Sequence, residues 1–118
     1  MATSFAQLNR LYPGTPQRTL NDEVGPTATG VTLRVPASWE GLPNEFSWAI
    51  TFTGTITAND VDLEGSLNGV TWFAIDSYTG TTPARRDVIA NVNFLRAKMN
   101  ALTGTIPTIT VDIMSKGR

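Results

Sequence analysis

Residues 41–52 read GLPNEFSWAITF, and their alternation decides the fold class. Phe46, Trp48, Ile50 and Phe52 fall at every second position, with Ser47, Ala49 and Thr51 between them. A period of two places the four large side chains on one face of an extended chain, the arrangement of a half-buried strand. Four such side chains in a row fill much of a small core.

The same device recurs on both sides of this stretch. Upstream, TGVTLRVPAS alternates Val31, Leu33 and Val35 with Thr32 and Arg34, then stops at Pro36. Downstream, VDLEGSL sets Val61 and Leu63 against Asp62, Glu64 and Ser66. The pair Asn68-Gly69 follows, a strong signal for a tight hairpin because both residues tolerate positive φ. VTWFAIDSY is the expected return strand, with Trp72 read chiefly as a space-filling core residue. Further on, Leu95, Ala97 and Met99 alternate with Phe94, Arg96 and Lys98. Ile109, Val111 and Ile113 alternate with Thr108, Thr110 and Asp112. A helix over residues 86–102 is the rival reading, since Ala, Leu, Arg, Lys and Met are good helix formers. The Asn and β-branched content favours strands. Six or seven short strands separated by Gly, Pro and Asn corners predict an all-β fold, a single jelly-roll-like β-sandwich over residues 29–118.

Residues 1–28 differ in character. Ser4 and Gln7 resemble a capping box, and Phe5, Leu8 and Leu11 are spaced for a short helical face ended by Tyr12-Pro13-Gly14. The segment is expected to be an N-terminal extended arm that docks on its own domain or on a neighbouring subunit.

Composition agrees with an all-β chain and narrows the chemistry. The 118 residues suit one domain, and they include 18 threonines, a residue favoured on half-buried pleated surfaces. Net charge is −1, and the one adjacent basic pair, Arg85-Arg86, is followed by Asp87, so no wide basic footprint for nucleic acid is present. The sequence holds no Cys and no His, which removes disulfides, thiolate metal sites and the commonest general base. The N-terminus lacks the apolar core of a secretory signal, and no apolar run approaches a membrane span. Nucleic acid and membrane are therefore not expected partners.

Candidate chemistry is sparse. Ser115 and Lys116 are adjacent residues near a terminus, without the buried base that a Ser–Lys nucleophile requires. Asp60, Asp62 and Glu64 could line one strand face and offer oxygens to Ca²⁺, yet the calcium-loop pattern is missing, and they also suit a solvated face. No catalytic residues, metal or cofactor are expected, and the chain reads as a non-enzyme. Trp39, Trp72, Tyr78 and Tyr12 are possible aromatic platforms, which keeps glycan binding open, although Trp48 belongs in the core.

Two stretches carry a family resemblance. Gly65, Ser66, Asn68, Gly69 and Trp72 match a hairpin signature. Phe94, Leu95, Arg96, Leu102, Thr103, Gly104, Pro107, Thr108, Thr110 and Val111 match a following pair of strands. Together, over residues 61–113, they resemble small β-sandwich modules encoded among structural genes of tailed bacteriophages. The resemblance implies a virion structural protein, most specifically a capsid decoration or cement protein. Such a protein would bind the major capsid protein on the outer capsid surface and associate with itself as a dimer or trimer, after synthesis in the host cytoplasm. The alternative it implies is a glycan- or host-binding accessory module of a phage tail. It supplies no catalytic residues. Phe5, Leu8, Leu11, Tyr12, Arg34, Trp39 and Arg96 are the aromatic, apolar and Arg side chains expected to anchor the interface.

Overall fold

The computed structural model describes residues 10–35 and 44–117. Seven strands form one antiparallel sheet: β1 (Gln17–Glu23), β2 (Ala28–Thr29), β3 (Leu33–Arg34), β4 (Asn44–Ser66), β5 (Phe73–Tyr78), β6 (Ala84–Ala90) and β7 (Phe94–Gly117). The all-β expectation holds at this level, and residues 86–102 form the end of β6 and the start of β7 with a short connection between them, and no helix. The strands differ in length from those expected. β4 has 23 residues and β7 has 24, each continuing where a break between two short strands was anticipated.

Backbone devices explain the continuity. The ladder between β4 and β7 runs from Glu45↔Gly117 to Ser66↔Phe94, with register shifts at Thr53/Thr55, Ile56/Ala58 and Asp60/Val61. Bulges of this kind bend a strand and sharpen its twist without ending the pairing. At the bend Gly54 has φ of 76° and Gly104 has φ of 152°. An added Cβ would meet the Ile106 carbonyl oxygen at 2.1 Å in the first case and that of Thr55 at 1.8 Å in the second. Only glycine fits there, for both conformation and space. The sequence TGTIT is thus a bend inside a strand, not a loop between two.

The bend divides the sheet into two halves that share a core. On one side β4 and β7 are flanked by β1 and β6; on the other they are flanked by β2, β3 and β5. Phe46, Trp48, Ile50, Ile109, Val111 and Ile113 from the first half join Val61, Leu63, Leu95, Ala97 and Met99 from the second in one buried cluster. Between the halves, Thr51, Thr53, Thr55 and Thr57 are exposed. Here Thr53 and Thr57 bond across the ladder to Thr108 and Thr103, so the abundant threonine satisfies a stretch that has no core to cover.

The segment expected as an arm contributes to this sheet. β1 pairs antiparallel with β7 from Gln17↔Ile113 to Glu23↔Ile109, and Leu20 is buried. Leu11 donates its N–H to the Arg34 carbonyl and is fully buried. Residues 10–28 therefore lie on their own domain. The helical face expected from Phe5 and Leu8 lies outside the described residues, and Leu11 itself sits in extended chain. Val31, expected to face inward with Leu33 and Val35, is exposed, because the strand is interrupted between β2 and β3.

Candidate interaction surface

The most distinctive surface lies where β4 turns into β5. Six residues, 67–72, separate Ser66 from Phe73, so the connection is wider than the two-residue hairpin that Asn68-Gly69 suggests. Gly69 takes φ of 77°. The Asn68 side-chain oxygen accepts from the N–H groups of Val70 and Thr71, both at 2.8 Å, and the Ser66 hydroxyl accepts from Gly69 N–H at 2.8 Å. Short polar side chains thus replace the missing ladder bonds. The loop is held in shape while its apolar side chains face out: Leu67 is 60 % exposed and Val70 80 %, and Phe73 at the start of β5 is 59 % exposed.

Beside this loop runs the outer face of the second half-sheet. Leu63, Leu95 and Ala97 are buried, so the alternating Glu64, Phe94 and Arg96 point the other way. Arg96 donates to Glu64 at 2.8 Å and its guanidinium lies 4.1 Å from the centroid of the Trp72 ring. Arg34 lies 5.4 Å from the centroid of the Phe94 ring. An added Cβ at Gly69 would touch that same ring at 3.5 Å, which places the loop backbone against Phe94. The result is a surface on which aromatic and guanidinium groups, the types enriched at the centres of protein interfaces, adjoin exposed aliphatic side chains.

Two of the sequence-predicted anchors, Arg34 and Arg96, belong to this patch. Tyr12 is half exposed on the segment that precedes β1. Leu11 is a core residue of its own chain. Phe5, Leu8 and Trp39 lie outside the described residues. Leu67, Val70 and Phe73 were missed as surface groups, and Trp72, read chiefly as core and secondarily as an aromatic platform, packs over Arg96 on the outer face. Alternation sets Trp72 and Phe73 on opposite faces of a return strand, but the strand begins only at Phe73 and Trp72 belongs to the connection before it.

The acidic row resolves into pairs. Asp62 accepts from the Ser77 hydroxyl at 2.7 Å and from Asn100 at 2.9 Å, while Glu64 is taken by Arg96. Among the described residues no group of three or more His, Cys, Asp or Glu side chains could hold a metal. Tyr78 packs against the core and donates its hydroxyl to the Thr82 carbonyl. No described helix is long and apolar enough to cross a membrane.

Comparison with known proteins adds one fold relationship. No family model matches the chain, and no curated protein matches it. Among solved structures, the crystal structure of SPBc2 prophage-derived protein YomS matches with a TM-score of 0.55 and 13 % sequence identity, over 89 % of this chain and 98 % of that one. The chain shares its fold with a prophage-derived protein. At this identity the likeness is one of architecture, and nearly the whole of each chain takes part in it.

Proposed function

We propose that this chain is a structural accessory protein of a tailed-phage particle, and within that class a capsid decoration or cement protein. In this reading the two half-sheets close over their shared core as a rigid sandwich-like block on the outer capsid surface. The observation that carries the reading is the fold shared with a prophage-derived protein across nearly the full length of both chains. The sequence resemblance of residues 61–113 to phage structural modules supports it independently. The exposed Leu67 and Val70 of the loop, with the adjoining Trp72–Arg96 face, supply the grip on the major capsid protein, and Phe73 adds an exposed ring at the rim. Each contact is modest, and repetition over a shell multiplies it.

Shells assembled without the protein test this directly. Purified protein added back should sediment with the shells and raise the temperature at which they open. Failure to bind any phage shell, with binding instead to polysaccharide, would replace the reading with the second one, a glycan- or host-binding tail module. The exposed Phe73 and the half-buried Trp72 ring beside it in sequence are the observation that favours that rival.

A further inference from the structure

Among the described strands, β6 is an edge: it pairs β4 and nothing else. The remaining edges are each disrupted. β1 has register shifts at Arg18/Leu20 and Leu20/Glu23 and a positive φ at Asp22, β5 has a shift opposite Leu63/Glu64, and β2 and β3 have two residues each. β6 keeps perfect register over all seven residues, from Asn44↔Ala90 to Ile50↔Ala84. A regular, unpaired edge of this kind is a template for another strand.

The side chains specify which strand. Arg85, Asp87 and Ile89 share the outer face, and the charges on it alternate in sign, with Arg85 and Asp87 at 3.7 Å. We propose that β6 pairs antiparallel with β6 of a second copy of this chain, about a two-fold axis at Arg86. Faces are preserved across such an axis only when it passes through a residue. Centring on Arg86 sets Arg85 of each copy opposite Asp87 of the other, giving two ion pairs. Centring on Asp87 would oppose the two Asp87 carboxylates, each held by Arg85 and Lys116 of its own chain at 3.7 and 3.8 Å, and would set Arg85 opposite Ile89, so no ion pair would form between copies. The Arg86 register also sets Ala84 opposite Val88 on the inner side and Pro83 opposite Ile89, a side chain otherwise 73 % exposed. The two Arg86 side chains meet at the axis, and each is already neutralised by two bonds to its own Asp76, at 2.8 and 3.0 Å. The fit stands on the β6 edge alone and does not depend on the phage reading.

A pair of seven-residue strands buries less than the ~1,600 Å² of a standard stable interface, so the dimer forms by mass action at high concentration. The absence of natural cysteine permits a clean test. Opposed residues in an antiparallel pair lie within disulfide reach. Mixed at high concentration under mild oxidation, Arg85→Cys with Asp87→Cys, and Pro83→Cys with Ile89→Cys, should yield heterodimeric disulfides. Arg85→Cys with Ile89→Cys, the pair opposed in the Asp87-centred register, should not. Arg85→Glu should weaken self-association about tenfold in sedimentation equilibrium. Mixing it with Asp87→Arg should restore association, because both ion pairs re-form in the heterodimer. Monomer at every concentration, or trapping led by Arg85→Cys with Ile89→Cys, overturns the proposal. Should Asp87→Arg fail to fold, the Pro83/Ile89 pair still decides the register.

Discussion

The Asp76 carboxylate accepts from Trp48 Nε1 at 2.8 Å and from two nitrogens of Arg86, so a single residue joins β4, β5 and β6 at the rim of the core. The Arg86 hydrogen bonds hold its pKa below the ordinary carboxylate value; partial burial opposes this, and the Trp48 and Ser77 N–H groups reinforce it. Asp87 is shifted the same way, chiefly by the Ser47 hydroxyl. A carboxylate whose folded pKa is depressed stabilises the fold above its unfolded pKa, about 3.9, and loses that contribution as pH falls through the folded value. Asp76→Ala should cost about 1–3 kcal/mol at pH 7 in urea unfolding, since it strands the Trp48 N–H and unpairs Arg86. The gap between wild type and variant should narrow below about pH 4, where the carboxylate of the unfolded chain begins to protonate, and close as the folded carboxylate protonates at lower pH. A gap that stays constant down to pH 2 would show that Asp76 acts by packing alone.

At the scale of elements, two predictions separate core from contact and bend from break. Leu11 precedes β1 and has no exposed surface, so Leu11→Ala should cost about 2–5 kcal/mol of stability in the isolated protein. An unchanged unfolding midpoint would return Leu11 to the role of an intermolecular anchor. Gly54 carries the bend of β4 at positive φ, with backbone oxygens where a side chain would stand. Gly54→Val should therefore destabilise by at least about 2 kcal/mol, although the residue is exposed and valine is a good strand former. Thermal unfolding of the two variants reads both effects.

For the whole molecule, the proposed contact with the shell lies on a surface separate from the core. Val70 is exposed on a loop shaped by the side chains of Ser66 and Asn68, and Phe73 is exposed at the start of β5 that follows it. The double variant Val70→Asp with Phe73→Ala should leave the unfolding midpoint within a few degrees of wild type. Its affinity for shells should fall about 30-fold or more, the loss expected when central anchors are removed. Equal retention on shells by wild type and variant would move the contact to another face.

How much of this was legible beforehand follows from what periodicity encodes. The inward rows Phe46-Trp48-Ile50, Leu95-Ala97-Met99 and Ile109-Val111-Ile113 were readable from alternation alone, because a pleated strand sends successive side chains to opposite faces. The all-β class follows from those rows and from the threonine content. Alternation carries no information about partners, however. That β4 and β7 run on through their glycines, that β1 joins the sheet, and that Trp72 lies over Arg96 instead of filling the core depend on ladder register. So does the position of β6 as the one regular edge among the described strands. Register arises from contacts between residues dozens of positions apart, and only the folded chain brings them together.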